Sequence, residues 1–436
     1  MHSGNTTFPP HGRGPRDGGQ AREWLDLSRE GREEGAHKPK KGRAPLTGQS
    51  RLLLTVHGLF AAANALSGTF VNVYLWKARH DFALIGWFTL VHHVMMALTF
   101  WTAGKWVKEH NKMNCLRAGV AVAAVFYTLV LWFGERSADY FLVLGIVQGV
   151  SSGFFWLAFN VVYFEVTGPN NRDRFNGWAG LLGSGAGMLA PWISGLLIVR
   201  LRAETGYRLI FSISVAVFVL GVIVSFFLKK RKSLGMYDWR LPWTCLKQDG
   251  AWRTVGLALA AQGMREGVFG FMIALLVYVH TGNEAKLGNF SLITSAVALL
   301  SFMAAGRLLK PKHRRIAMLV GAVMLVLMIV PFFWKVNFFT LLVFGIGVGI
   351  FFPLYGIPMT STVFDLIGGD PESAKRREEY IVLRELALNA GRIVGTALFI
   401  AAVSLTRSPA AMNWLLLAIG SSPLAAWYFM RKVHAV

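Results

Sequence analysis

Long apolar runs separated by short polar stretches fill the chain from residue 52 onward. Each run reaches the roughly 20 residues that a helix needs to cross the hydrocarbon of a bilayer. Twelve helical spans are predicted, at 52–76, 82–104, 116–134, 139–165, 176–199, 207–228, 254–280, 287–309, 315–334, 338–366, 379–406 and 411–431. Residues 1–50 have no apolar period and are rich in Gly, Arg, Lys and Glu, the composition of a disordered tail.

The apolar pattern is broken most sharply in the eleventh span. Glu385, Asn389, Arg392 and Thr396 recur at i, i+4, i+7 and i+11 and so share one helix stripe, with Arg384 beside it. Ionised groups are costly in lipid, so this stripe must face protein or a water-filled cavity. It reads as a wall of a polar pathway or as an ion-pair network that fixes helix packing. The seventh span carries Gln262, Arg265 and Glu266. Counted from Thr254, Arg265 and Glu266 lie about 17–18 Å in, near the midplane. In the fourth span Gln148, Ser152 and Trp156 share a stripe. His92 and His93 in the second span point about 100° apart, so at most one faces a cavity.

The spans repeat. FEVTG at 164–168 matches FDLIG at 364–368, and LGIVQG at 144–149 matches FGIGVG at 344–349, both at an offset of 200. Gly104 matches Gly306 at 202, and Glu266 maps onto Asn64 of the first span, which also holds His57 and Asn72. The expected organisation is a tail (1–50), an N-terminal six-helix bundle (51–229), a cytoplasmic linker (230–253) and a C-terminal six-helix bundle (254–436). This is an all-α polytopic membrane protein with two parallel six-helix halves, the plan of one large transporter class.

Composition agrees. The chain has 436 residues, 54% of them hydrophobic, a mean hydropathy of +0.45 and a formal net charge of +22. The basic residues gather between the runs, in the loops on the side of the amino terminus. That asymmetry predicts a multi-pass protein of the cell membrane with both termini cytoplasmic. It explains the charge better than nucleic-acid binding does. Arg51, with Lys38, Lys40, Lys41 and Arg43, would sit near anionic head groups. Cys115 and Cys245 fall near predicted cytoplasmic boundaries, so no disulfide is expected. No Walker sequence, HExxH or Cys-rich spacing is present, so no enzyme, metal or cofactor is predicted and an ion gradient is the expected drive.

Over residues 50–432 the chain resembles the major facilitator superfamily. Its second and eighth spans end in GKWVKEHNKM (104–113) and GRLLKPKHRR (306–315), similar to that family's Gly-x-x-x-Asp-x-x-Gly-Arg-Arg loop. Gly104, Gly306, Lys112, Arg314 and Arg315 match. The family's Asp, part of a charge network at the inner side, is replaced by Lys108 and Lys310. Glu165 with Arg172 resembles the Glu-x6-Arg signature of sugar porters, and GMLAPWISG (187–195) resembles an antiporter signature. The subgroup it most resembles is that of uncharacterised permeases of bacilli. The resemblance implies a cavity lined by spans 1, 4, 7 and 10 and flanked by spans 2, 5, 8 and 11.

The leading functional reading is a secondary active transporter of a small molecule working by alternating access. Lipid or lipid-linked-sugar flippase, and non-transporting scaffold or sensor, are the alternatives. Paired charges at midplane depth count against a scaffold. The candidate substrate and coupling residues are Arg265, Glu266, Arg384, Glu385, Asn389, Arg392, Gln262, Asn64, Gln148 and Trp156. The arginines suit an anion, and a carboxylate buried near the midplane can exchange protons near neutral pH. Glu266 is expected to pair with Arg392, or Glu385 with Arg265, across helices. The candidate gating charges are Glu165, Arg172, Lys108, Asp365, Arg314 and Arg315. Each acid is expected to pair within its own half: Glu165 with Lys108, Arg117 or Arg172, and Asp365 with Lys310, Arg314 or Arg315. The expected partners are the bilayer, a small-molecule substrate (an anion on one reading) and a proton or other coupling ion, with no nucleic acid. The protein is expected to act as a monomer.

Overall fold

A computed structural model of the chain describes residues 45–167, 171–230, 235–248, 250–367, 375–406 and 408–433. The predicted tail lies outside these residues up to position 44. Among the described residues there are twelve helices long and apolar enough to cross a membrane. They are α1 (Gly48–Arg79), α2 (Phe82–Glu109), α3 (Lys112–Phe133), α4 (Phe141–Val166), α5 (Arg172–Arg200), α6 (Ala203–Ser225), α7 (Gly250–Thr281), α8 (Glu284–Leu308), α9 (Arg314–Leu327, lengthened to a span by 3-10 turns at Pro311–His313 and Val330–Phe333), α10 (Phe338–Ile367), α11 (Arg377–Leu405) and α12 (Pro409–Gly420, resumed as Ser422–Val433).

Several helices outrun their predicted spans at the polar end. Apolarity marks only the stretch that crosses hydrocarbon, whereas the helix itself continues until a cap stops it. The Thr47 side chain accepts from Ser50 N–H and starts α1 inside the stretch assigned to the tail; Asp81, Asn111 and Asn283 cap α2, α3 and α8 in the same way. The predicted linker also carries structure, a short helix at Leu241–Gln248 and the first turn of α7. The last span is interrupted at Ser421, two residues before Pro423, which has no N–H to give to the ladder.

The helices pack in a pattern that occurs twice. In the first half α1 lies on α5 and α6, α2 on α4, and α3 on α4 and α6. In the second, α7 lies on α11 and α12, α8 on α10, and α9 on α10 and α12. Glycines set some of these contacts at equivalent positions. A Cβ at Gly119 would lie 2.5 Å from the Phe155 backbone nitrogen, and one at Gly321 would lie 2.7 Å from that of Tyr355. Between the halves α2 meets α11 and α5 meets α8.

The closest approach that positions the polar residues is α7 against α11. Gly263 and Gly267 face Gly391 and Gly395, a small-xxx-small ridge on both helices. A Cβ at Gly267 would stand 2.6 Å from the Arg392 carbonyl oxygen. Without the glycines the two backbones could not meet here, and Glu266 and Arg392 would be drawn apart.

The effect of Gly267→Val follows. It should force α7 from α11 and destabilise the fold by about 1–3 kcal/mol, the usual range for overpacking. Gly177→Ala, where nothing lies within 4 Å of the added carbon, should be nearly neutral. Thermal unfolding of the purified protein in detergent separates the two; equal midpoints would remove the packing role assigned to Gly267.

Candidate functional site

A cavity of about 230 Å³ lies where α1, α2, α4 and α7 converge. Its polar lining is Asn72, Thr89, His92, His93, Gln148 and Glu266; Val71, Phe88 and Phe271 supply apolar wall. Buried polar atoms are left without a hydrogen-bond partner in and beside it: Asn72 Oδ1, His92 Nδ1, His93 Nδ1 and Gln262 Oε1. Unsatisfied groups of this kind are costly unless water or a ligand meets them. Both histidines line the space despite pointing different ways, because their ring centres are only 5.2 Å apart.

Glu266 links the cavity to the charged stripe of α11. Arg392 holds it through Nη2 at 2.7 Å and Nε at 3.2 Å, both to Oε2. Gln262, one turn earlier on α7, donates to Oε1 at 2.7 Å. Arg392 Nη1 also reaches Asn389 Oδ1 at 3.2 Å and lies 3.9 Å from Glu385 Oε2. Thr396 donates to the Gly267 carbonyl across the interface at 3.2 Å.

Of the two carboxylates, Glu266 lines the cavity and Glu385 does not. Glu385 is 5% exposed and is bonded by its sequence neighbour Arg384 as well as approached by Arg392. The expected Glu385–Arg265 pair is not formed. Arg265 is buried on the other side of α7, with its guanidinium over the Phe269 ring at 4.8 Å and its Nε unpartnered. Neighbours 100° apart on a helix can still pair when both side chains are long, which is how Arg384 takes Glu385; Arg384 also lies over Phe364. Asn64 bonds its own helix, donating to the Phe60 carbonyl at 3.1 Å. Trp156 stands away from the cavity, edge-on to His57 with centroids 6.0 Å apart.

A second charged cluster joins the two halves at the end of the bundle where α2 stops and α11 starts. Lys108 Nζ donates to Glu379 Oε1 at 2.5 Å, and both side chains are almost wholly buried. Lys112 pairs with Glu165 and lies 3.3 Å from Glu378. Arg377 reaches back from α11 to Glu165 at 3.0 Å. Glu165 is thus held by Lys112 and by Arg377 of the other half, rather than by Lys108 or Arg117. Lys108 is taken by Glu379, and Arg117 donates to the Ser225 and Leu228 carbonyls. The Arg172 side chain lies outside the described residues. Asp365 pairs with Arg314 at 2.6 Å, within its own half.

The linker closes over this cluster. Asp238 N–H donates to the same Glu379 oxygen at 3.2 Å, and Tyr237 N–H donates to Glu109 at 3.1 Å. The Tyr237 ring fills the space left by Gly104, where a Cβ would lie 2.6 Å from its hydroxyl. Burial, with the charges of Glu379 and Asp238, pushes that phenol above its usual range. At the opposite end Lys77 of α1 meets Glu284 of α8 at 3.0 Å, and Tyr207 donates to the same Glu284 oxygen at 3.2 Å. Glu284, Glu378 and Glu379 were not singled out by sequence reasoning. The available signal was acidic residues in the first turns of α8 and α11, where the helix dipole favours them.

The sequence profile described as "Major Facilitator Superfamily" matches residues 53–372. The uncharacterized protein YqgE of Bacillus subtilis (strain 168) is 40% identical over 382 residues, covering 88% of this chain and 89% of the relative. A second relative, the uncharacterized protein in sodM 3'region of Geobacillus stearothermophilus, is 45% identical over 172 residues, covering 38% of this chain and 80% of its own. Among solved structures, a bacterial homologue of the iron transporter ferroportin in the outward-facing state aligns with TM-score 0.60 at 17% identity, covering 89% of this chain and 100% of that one. The same homologue soaked with iron gives 0.61 at 16%, covering 89% and 99%. At such identities the likeness is one of fold.

The Lys108–Glu379 contact can be tested directly. Lys108→Ala leaves Glu379 buried without its cation and should weaken the contact between the halves at this end by about 3–5 kcal/mol. The expected outcome is faster labelling of cysteines placed on α4 and α10 at the end of the bundle beside this cluster, with labelling slowed again in the charge-swapped Lys108→Glu/Glu379→Lys protein. Unchanged labelling in Lys108→Ala would show that the pair does not hold the halves together.

Proposed function

The chain belongs to the major facilitator superfamily of membrane transporters, and on that premise we propose that it is a proton-coupled secondary transporter of a small solute working by alternating access. The observation that carries the reading is the central cavity. It holds one wall carboxylate, Glu266, already engaged by a cation, and ion pairs that cross between the halves stand at both ends of the bundle. Two six-helix halves, 51–229 and 254–436, rock about that cavity. The Lys108–Glu379 and Lys112–Glu378 contacts part when the inner end opens, and Lys77–Glu284 parts when the outer end opens. Both termini lie in the cytoplasm, and the protein sits in the cell membrane as a monomer.

Coupling runs through Arg392. An anionic group entering beside Glu266 competes for the guanidinium, and the released carboxylate takes a proton because a fixed charge is costly at this depth. Gln262 and Asn389 keep the two partners aligned while the exchange occurs. Glu385, bonded by Arg384 and lying away from the cavity, positions Arg392 rather than carrying the proton.

In proteoliposomes, with a solute found by screening with and without an imposed pH gradient, Glu266→Gln should abolish accumulation while exchange persists. Glu385→Gln should keep gradient-driven accumulation and lose stability on the order of 2 kcal/mol, as for a hydrogen bond to a charged group. Full accumulation by Glu266→Gln would remove the coupling role. Orientation is tested separately: cysteines at Lys230 and Lys432 should react with an impermeant maleimide in inside-out vesicles only.

A further inference from the structure

A groove of about 520 Å³ runs between the first halves of α1 and α5, away from the central cavity. Arg51 and Arg174 line it, with Leu54, Leu59, Trp178 and Leu182. Its two walls are graded alike. Arg51 lies in the first turn of α1 and Leu59 eight residues further on; Arg174 lies in the first turn of α5 and Leu182 eight residues further on. At 1.5 Å per residue the leucines sit about 12 Å deeper than the arginines. Gly58 has no side chain to fill the space, and a Cβ there would already touch Leu182 at 3.3 Å.

Both arginines are exposed, and neither side chain makes an ion pair or hydrogen bond among the described residues. A cation in the first turn of a helix opposes the helix dipole, and no acid among the described residues is paired with either arginine. Two guanidiniums with no partner among the described residues, at the polar end of an apolar groove, complement a ligand with an anionic head and an apolar tail. Both helices start at the end of the bundle that faces the cytoplasm in the orientation given above.

We propose that this groove binds an anionic phospholipid of the cytoplasmic leaflet. Its phosphate lies between Arg51 and Arg174, where planar guanidiniums give paired hydrogen bonds. One acyl chain lies along Leu54, Leu59, Trp178 and Leu182. The apolar wall distinguishes such a lipid from a free phosphate, which the arginines alone would attract.

The test is native mass spectrometry of the full chain after exchange into detergent holding equal amounts of phosphatidylglycerol and phosphatidylcholine. The parent should retain phosphatidylglycerol preferentially. At the strength of one surface cation per arginine, each of Arg51→Gln and Arg174→Gln should lower that retention about fivefold and the double variant about thirtyfold. Lys312→Gln, an exposed cation elsewhere, should leave it unchanged, and inorganic phosphate should not displace the lipid. A parent without preference, variants that keep it, or displacement by inorganic phosphate would each overturn the proposal. The parent measurement decides the matter even if the double variant fails to fold.

Discussion

Contact between the α7 and α11 backbones is the constraint on which the polar centre depends. Four glycines allow it, and side chains that start from the two helices are thereby brought within one ion pair's length. Glu266 needs that proximity. A carboxylate near the middle of a membrane span is tolerable only with a cation at hand, and Arg392 can serve because its helix lies against α7 at van der Waals distance. The same contact fixes Thr396 on the Gly267 carbonyl. Packing and electrostatics are therefore not separable here: loss of a glycine would leave a charge without its partner.

Charge is distributed differently at the two ends of the bundle. At the end where α2 meets α11, Lys108, Lys112, Glu165, Arg377, Glu378 and Glu379 form a cluster that crosses between the halves, with the linker bonded to it. At the other end the described crossing pair is Lys77 with Glu284, supported by a tyrosine. Buried ion pairs lose much of their Coulomb gain to desolvation, yet breaking one by removing a partner is strongly unfavourable. In the alternating access proposed above, such contacts suit a latch that is remade in full, because separated partners are hydrated again where water reaches them.

Much of the scaffold was legible in the sequence because bilayer thickness imposes a length on every span and the repeat imposes a partner on every helix. Gly119 and Gly321, 202 residues apart, meet equivalent backbones, which is the repeat written in packing. The pairing of Glu266 with Arg392 could be anticipated, since the first lies on a span expected to line the cavity and the second on one expected to flank it. Arg265 could not be placed, because a guanidinium can satisfy itself on an aromatic face of its own helix, and Phe269 one turn on gives no charge signal. Glu284, Glu378 and Glu379 were hidden for another reason. They sit at helix starts, where polarity marks only the membrane boundary, and their importance comes from which helix end lies opposite.

Lys108 stands where the resemblance leads one to expect an Asp, and it still takes part in a charged contact, with Glu379 of the other half. In the resemblance read from GKWVKEHNKM, that position should be an Asp belonging to a charge network. Here it is basic, and the helix packed against it begins with two glutamates in its first turn. The N-terminal dipole of α11 stabilises those acids independently of any partner, so the acidic side of the contact is supplied by the helix start. Only the cation then had to be provided by α2, and Lys108 provides it with a side chain long enough to follow Glu379 into burial. In this chain α2 and α11 meet through Lys108 and Glu379, so what the contact needs is charge complementarity across the halves.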